Sequence, residues 1–242
     1  MKNLFKKLFV GFTVLSLTAC GSTTMQDNTF AAKENKDFTK YTNQLVVEYA
    51  ENDYTTMHQF FEHPEDYGID INNVDVSLGE FYTDNTEEIK EDQKELNKFN
   101  RSTLDKTQQT IYDELKYENE LSLKAENKKF QYLNNCWSTM SGLHQSLISV
   151  FSEYILRNEK DIQDLITLIN DVPRYTNDVL EYTKKQADKN TLQFDYDSVT
   201  QDIQDVINNK ADSSITSALY NAIDALNLDE EKTTSYKAQV KD

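Results

Sequence analysis

Residues that break or cross-link a chain are scarce in this sequence. It contains two prolines, five glycines and two cysteines among 242 residues. A β-sandwich or β-barrel of many short strands needs more turn-forming residues than this composition supplies. The cysteines, Cys20 and Cys136, cannot form a framework of several disulfides. The composition therefore predicts a mainly α fold that is stabilised by packing rather than by cross-links.

Positive charge is also in short supply. Lys and Arg total 25 against 42 Asp and Glu, which gives a formal net charge of −17. Because nucleic-acid binding needs a basic surface, nucleic acid is not an expected partner. The same charge repels anionic lipid headgroups, so the protein body is not expected to bind a bilayer by itself. The bias towards Asn, Lys, Asp and Tyr is typical of AT-rich coding and indicates a low-GC Gram-positive source.

The amino terminus has the pattern of a lipoprotein signal peptide. Three lysines precede an apolar run over residues 8–17, and Leu17-Thr18-Ala19-Cys20 matches a bacterial lipobox. The run is too short to span a hydrocarbon core of roughly 30 Å as a mature helix. Residues 1–19 are therefore predicted to be a signal peptide that is cleaved before Cys20. Cleavage removes three lysines and no acidic residue, which leaves 22 basic and 42 acidic residues and a formal charge of −20.

The resemblance to lipoprotein precursors implies a diacylglyceryl group on the Cys20 sulfur, carrying acyl chains such as palmitate. Two acyl chains give stable anchoring where one does not. The expected location is thus the extracytoplasmic face of the cell membrane, with the lipid bilayer as a partner through acylated Cys20. The competing interpretation is an ordinary secretory peptide with a chance cysteine.

Apolar spacing predicts a multi-helix array of amphipathic helices after a polar tether over residues 20–36. The α-helical domain is predicted over residues 37–242, with at most one short strand near 74–78, where Val74, Val76 and Leu78 alternate with other residues. Asp53 is placed to cap a short helix that ends before Pro64. The helices expected further on cover residues 86–100, 103–128, 143–155, 159–170, a segment beginning near Pro173, and stretches around 199–207, 215–226 and 230–242.

The helical pattern breaks between Phe130 and Gly142. A loop rich in Asn and Ser enters the most apolar predicted helix there, and loops of this kind are where binding surfaces concentrate. The residues chosen as groove candidates are Trp137, Ser141, Gly142, His144, Glu153 and Tyr154. The alternative is that Glu153 and Tyr154 satisfy each other inside the bundle.

Motifs of known chemistry are missing from the sequence. His58 and His63 stand five apart, about 140° around a helix, whereas a metal-binding pair is spaced by three or four residues. Sequence does not decide whether the Cys136 thiol and the His144 imidazole approach each other for nucleophilic catalysis. Neither a glycine-rich phosphate loop nor a GxSxG elbow occurs. We therefore predict no catalytic residue, no metal site and no cofactor.

An ordered series of segments resembles the bacterial family named domain of unknown function 885. The series comprises Met57-His58-Gln59-Phe60-Phe61-Glu62-His63-Pro64-Glu65-Asp66-Tyr67-Gly68-Ile69, Ser77-Leu78-Gly79-Glu80-Phe81, Thr107-Gln108-Gln109, Tyr112-Asp113, Ser141-Gly142, Glu153-Tyr154, residues 161–165, Asp171-Val172-Pro173-Arg174-Tyr175 and Ala225-Leu226.

Family members look like helical zinc peptidases of the gluzincin kind, which implies a His-Glu metal motif and a later Glu in a C-terminal half. No residue here matches those ligands, so the resemblance covers the N-terminal, groove-forming part alone. Two hypotheses follow. The chain is a peptidase-like lipoprotein that is inactive unless a C-terminal partner chain supplies the zinc helix, or it is a self-sufficient helical lipoprotein that binds a peptide or small ligand. Because a half-domain leaves apolar helix faces unpaired, the resemblance leads us to expect an exposed hydrophobic patch, a partner chain or a truncated reading frame. A structural role as a surface spacer is a third hypothesis, which explains the resemblance least well.

Overall fold

The computed structural model describes residues 34–208 and 214–241, and these residues form nine α-helices joined by loops and four short 3-10 helices. The α-helices are α1 Lys36–Glu51, α2 Tyr54–Phe60, α3 Thr86–Leu96, α4 Lys106–Ala125, α5 Leu143–Ser152, α6 Glu159–Asp188, α7 Tyr196–Asn208, α8 Ser214–Ala225 and α9 Glu230–Lys241. The described ranges contain no strand, and residues 74–78 are irregular. The prediction of a mainly α fold is confirmed.

The predicted signal peptide, Cys20 and residues 20–33 of the predicted tether lie outside the described residues. Within residues 34–208 and 214–241, no helix has both the length and the apolar character needed to cross a bilayer.

The described chain divides into two compact units. Unit 1 contains residues 34–49 and 82–131, and unit 2 contains residues 50–81 and 132–241.

Unit 1 is built around aromatic side chains and the pairing of α3 with α4. Phe38 is fully buried and meets the ring of Phe99 edge-on, with 5.1 Å between ring centroids. Asp105 caps α4 in a capping box, in which its side chain accepts from the Gln108 N–H. The Gln108 amide also holds the backbone of Asn35, donating to its carbonyl at 2.9 Å and accepting from its N–H at 2.9 Å. The Gln108 side chain therefore holds Asn35, which immediately precedes α1, against α4.

The helix ends of unit 1 differ from the predicted ones. The expected helix over 86–100 stops at Leu96, and the expected helix over 103–128 runs from Lys106 to Ala125. The physical reason is local capping. The Asn100 side chain accepts from the Ser102 N–H and starts a separate 3-10 turn, after which Asp105 begins α4. Asn and Asp favour such caps because their side chains replace helical hydrogen bonds.

Unit 2 is organised by α6, which is 30 residues long. Asn158 caps it as expected, accepting from the N–H groups of Lys160 and Asp161. The prediction of one helix over 159–170 and a second beginning near Pro173 was wrong, because Pro173 lies inside a continuous helix. Pro173 is exposed, so it removes one helical hydrogen bond without lying on the buried face of α6. The buried stripe crosses the proline without interruption, through Leu165, Leu168, Tyr175, Val179 and Tyr182.

The remaining helices of unit 2 pack around α5 and α6. Helix α8 contacts both α5 and α9, and α9 also contacts α6. Glu159, at the start of α6, accepts from Lys232 and from the Tyr236 hydroxyl of α9, each at 2.9 Å. Helix α5 buries three residues, Leu143, Val150 and Phe151. It ends at Ser152, three residues earlier than expected.

Candidate functional site

A cleft of about 540 Å³ lies in unit 2, between residues 62–72 and residues 155–158. Both walls come from segments that follow a helix end rather than from helix faces. The lining residues are Glu62, His63, Pro64, Glu65, Ile69, Asp70, Ile71, Asn72, Ile155, Leu156, Arg157 and Asn158.

The first wall is shaped by a proline and a glycine. Pro64 occupies the first position of the 3-10 turn Pro64–Tyr67, where its fixed φ and missing N–H are tolerated. Gly68 ends the turn with φ +77, a left-handed conformation that favours glycine, and its N–H donates to the Glu65 carbonyl at 3.0 Å. The chain then reverses, and the Ile69 N–H donates to the Pro64 carbonyl at 3.2 Å. This turn presents Glu65 to the cleft.

Arg157 joins the second wall to the end of α2. Its Nη2 donates to the Met57 carbonyl at 2.8 Å and to the Phe61 carbonyl, and its Nε donates to the Glu62 carbonyl at 3.0 Å. The three carbonyls lie at the C-terminal end of α2, where a cation is favoured by the helix dipole; the Met57 carbonyl also accepts from the Phe61 N–H at 3.3 Å. The Arg157 side chain is 15% exposed. Its donors are thus committed to the protein rather than to a ligand.

His58 lies directly behind Arg157 and is fully buried. Its Nδ1 is 2.8 Å from the Ile155 carbonyl, and the His58 carbonyl accepts from the Ile155 N–H at 2.7 Å. A carbonyl at that distance requires Nδ1 to carry the proton, so the lone pair lies on Nε2. Nε2 has no hydrogen-bond partner among the described residues. The ring stacks on Tyr154 at 4.2 Å and 4°.

Burial is the main reason that His58 is neutral. Desolvation lowers its pKa to about 4, and the Arg157 charge acts in the same direction. The Arg157 Nη1 stands 3.1 Å from Nδ1. The hydrogen bond to Ile155 and the charges of Asp161 and Asp164 oppose this shift without cancelling it.

Two carboxylates of α6 complete the cluster. Asp161 is 1% exposed, and its Oδ2 accepts from the Arg157 N–H at 2.7 Å. Asp164 accepts from the Tyr54 hydroxyl and from Lys160. Burial and, secondarily, the hydrogen bond to Asp164 raise the pKa of Tyr54. The cluster therefore pairs its charges and ties α2 to α6.

The groove candidates from the sequence do not converge on this cleft. Trp137 is half-buried, and its Nε1 donates to the Thr183 hydroxyl at 2.7 Å. Gly142 is buried at the start of α5, and Ser141 beside it is exposed. Glu153 is exposed whereas Tyr154 is buried against His58, so the two side chains point to different surroundings. Of these residues, Tyr154 alone belongs to the polar cluster behind the cleft.

His144 and Cys136 also have separate environments. The His144 side chain is 9% exposed, and its Nε2 lies 3.9 Å from the Asp202 carboxylate. Burial lowers the pKa of His144, an effect that Asp202 opposes. Cys136 is buried, and its thiol donates to the Asn134 carbonyl at 3.5 Å. Burial raises the pKa of this thiol to about 12, which leaves almost no thiolate at neutral pH.

A zinc site does not fit the residues that the structure describes. Across residues 34–208 and 214–241, no three His, Cys, Asp or Glu side chains are grouped so that they could hold a metal ion. The imidazoles nearest the cleft are His63, which is exposed and pairs with Glu65 at 3.3 Å, and His58, which is buried in its hydrogen bond to Ile155. No catalytic step through zinc can be assigned to them.

The sequence did not single out Arg157, which forms the floor of the cleft. The rarity of arginine is a signal that could have pointed to Arg157, because the chain has three arginines in all, Arg101, Arg157 and Arg174. Each makes several directed hydrogen bonds. Arg101 and Arg174 donate to carboxylates, whereas Arg157 donates to backbone carbonyls. The planar fork of arginine suits such sites better than lysine does.

Segments that carry the family resemblance meet in unit 2. The segment that begins at Met57 contacts the one containing Tyr154 through His58. The segment 77–81 contacts the segment 171–175, because the Leu78 N–H donates to Asp171 at 2.9 Å and Arg174 donates to the Gly79 carbonyl at 2.9 Å. Segments distant in sequence thus contact each other within unit 2.

Comparison with known proteins covers the resembling segments that follow residue 72 and does not include the segment over 57–69. Neither a curated protein nor a solved structure matches the chain. Residues 72–242, well over half of the chain, match the family described as "Bacterial protein of unknown function (DUF885)". The chain belongs to this bacterial family.

Proposed function

We propose that this protein is a lipid-anchored, extracytoplasmic binding protein that holds a peptide or small ligand in the cleft between residues 62–72 and 155–158. The observation that carries the proposal is the cleft itself. Its volume of about 540 Å³ is within the range of ligand pockets, and its walls combine apolar surface with a few polar groups.

The chemistry of the walls supports a ligand with both apolar and hydrogen-bonding groups. Ile69, Ile71 and Leu156 supply apolar surface, whereas Glu62 and Glu65 supply carboxylates. The wall over 62–72 also contains irregular backbone, which offers N–H and C=O groups to an extended peptide. The polar cluster of His58, Arg157 and Asp161 holds these walls in place from behind.

Binding without hydrolysis is the form of this function that the residues support. The printed sequence contains no HExxH motif, and the described residues supply no metal-binding group. The proposed protein therefore binds its ligand without cleaving it.

One observation favours a second candidate, in which a partner chain completes a peptidase. Val206 and Ile207 of α7 are 40% and 50% exposed, and Tyr196 of the same helix is 66% exposed. Apolar side chains of this kind are suited to a protein contact. In this case a separate chain carrying the zinc helix would bind α7.

Affinity selection tests the proposed function. The full-length chain in detergent is incubated with an equimolar mixture of random hexapeptides, and retained peptides are identified by mass spectrometry. Glu65→Trp fills the cleft and should abolish retention. Asp66→Trp is the matched control, because Asp66 is exposed in the same turn and does not line the cleft.

Equal retention by Glu65→Trp and Asp66→Trp would contradict a site in this cleft, as would no retention by the parent chain. Zinc-dependent cleavage of the peptides by the purified chain alone would contradict the non-hydrolytic form.

A further inference from the structure

One cation holds the cleft closed at its floor. Arg157 bridges the second wall to the Met57 carbonyl of α2 and to the Phe61 and Glu62 carbonyls that follow it, and Ile155 of the same wall bonds the His58 carbonyl and ring. The Met57 carbonyl also accepts from the Phe61 N–H at 3.3 Å. The position of the wall that begins at Glu62 therefore depends on Arg157 staying where it is.

A fully buried histidine stands against this cation. His58 Nδ1 lies 3.1 Å from Arg157 Nη1, and His58 is itself part of α2. In the neutral ring the Nδ1 proton is directed to the Ile155 carbonyl, and the ring carries no net charge against the guanidinium. An imidazolium would place two positive charges side by side in a buried site, where such repulsion is large.

The surrounding charges can be assigned by element. On α2, Tyr54 faces the His58 ring at 4.8 Å between centroids. In the segment before α6, Tyr154 stacks on the ring and Arg157 touches it. On α6, Asp161, Asp164 and Lys160 lie in the same cluster.

The two carboxylates are already engaged by other donors. Asp161 accepts from the Arg157 N–H and lies 3.7 Å from its guanidinium. Asp164 accepts from Tyr54 and Lys160. Neither carboxylate makes a hydrogen bond to His58. The positive charge of a protonated His58 would therefore have no directly bonded anion.

We propose that His58 is an acid-sensitive lock on the cleft, and that its protonation displaces Arg157 from the end of α2 and opens the wall over residues 62–72. The lock would regulate the cleft of the proposed function. The opening of the wall does not depend on that function, whereas the release of a ligand does. In an extracytoplasmic setting, a fall in the pH of the medium would discharge the ligand.

The direction of the pH effect follows from the shifted pKa. The histidine pKa is lowered from 6.5 to about 4 in the closed form, so the open form binds the proton more readily. The closed form is therefore fully favoured above about pH 6.5 and loses that advantage as the pH falls towards 4. Between pH 8 and pH 4.5 the opening equilibrium should rise by between about tenfold and a hundredfold.

Hydrogen–deuterium exchange of the full-length chain without ligand tests the lock. Protection of peptides covering residues 57–63, corrected for intrinsic exchange rates, should fall at least about tenfold from pH 8 to pH 4.5. Peptides from α4 serve as the internal reference. His58→Gln should lose this pH dependence, whereas His63→Gln, which alters an exposed histidine, should keep it.

A second measurement holds even if His58→Gln does not fold. In NMR titrations of the parent chain, the His58 ring protons should stay in the neutral position to below pH 5, and their change should coincide with the loss of protection. Titration of His58 near pH 6.5 with unchanged protection would overturn the lock, as would an equal loss of protection in a folded His58→Gln chain.

If hexapeptides do not bind but protection falls as expected, the proposed function fails and the lock stands. If they bind equally at both pH values, the lock fails alone.

Discussion

The Asp171 carboxylate accepts a hydrogen bond from the backbone N–H of Leu78 at 2.9 Å, across 93 positions of sequence. Arg174 holds the same carboxylate through two hydrogen bonds of 2.6 Å and donates to the Gly79 carbonyl at 2.9 Å. One side chain of α6 thus fixes the loop that follows the cleft wall.

Asp171→Ala should destabilise unit 2 by about 1.5–3 kcal/mol, because the Leu78 N–H and the Arg174 guanidinium both lose a charged partner. Chemical denaturation measures the change. Asp178→Ala is the control, since this exposed carboxylate pairs with Arg174 alone and its loss should cost at most about 1 kcal/mol. Equal costs for the two variants would refute the role of the Leu78 hydrogen bond.

Asp92 in α3 provides a pH-dependent prediction for unit 1. Burial, followed by the charges of Glu88 and Glu48, raises its pKa to about 6. Because the folded-state pKa is raised, the fold is favoured at low pH and loses this contribution as the pH rises through about 6. Asp92→Asn should therefore raise stability by about 1 kcal/mol at pH 7.5, after allowance for partial exposure, and leave it unchanged near pH 4.

Thermal unfolding of the parent and Asp92→Asn chains at both pH values checks this. Asp113→Asn serves as a contrast, because hydrogen bonds from Arg101 lower the pKa of that carboxyl. It should give no gain at pH 7.5. A gain from Asp113→Asn as large as that from Asp92→Asn would point to net charge rather than to the local cluster.

The Cys136 thiol should be unreactive in the native protein. With a pKa of about 12 instead of the usual value near 8.5, its thiolate fraction at pH 8 is reduced roughly a thousandfold, and burial blocks the reagent as well. Iodoacetamide labelling followed by mass spectrometry should show no adduct at Cys136 until guanidinium unfolds the chain. Rapid native labelling would contradict the buried position.

Gly142→Ala should destabilise unit 2 by about 2–4 kcal/mol. A Cβ at Gly142 would lie 2.5 Å from the Ser138 carbonyl oxygen and 2.7 Å from its nitrogen, and backbone atoms cannot move aside as a side chain can. Gly68→Ala is a matched comparison, because nothing lies within 4 Å of its added Cβ and the cost is backbone strain of about 1–2 kcal/mol. Thermal unfolding of both variants should rank Gly142→Ala as the less stable.

Cys20 should carry the membrane anchor. The N-terminal peptide of the chain extracted from its native membrane should begin at Cys20 and carry the mass of a diacylglyceryl group and any further acyl chain. Cys20→Ala should appear in the soluble fraction without lipid, whereas Cys136→Ala should remain in the membrane. An unmodified Cys20 in membrane-bound protein would refute the lipoprotein assignment.

The sequence predicted the family and the mainly α fold because both depend on local features. Asn158 caps α6 through a side chain two and three residues from its partners, and Asp53 caps α2 in the same way. Short-range hydrogen bonds and apolar spacing of this kind are visible without tertiary structure. Pro173 misled the same reasoning, since its local cost is outweighed by the apolar face that α6 buries on both sides of it.

The cleft and its polar cluster could not be located in this way. His58 and Arg157 are 99 positions apart, and nothing in either segment indicates that a ring nitrogen and a guanidinium will meet. The groove candidates were drawn from one interrupted loop and the predicted helix that follows it, whereas the cleft is formed by two segments that each follow a helix end. Composition and spacing determined the helical class, the caps and the predicted lipid anchor. Long-range packing alone decided which side chains became neighbours, because burial and directed hydrogen bonds select partners irrespective of their separation along the chain.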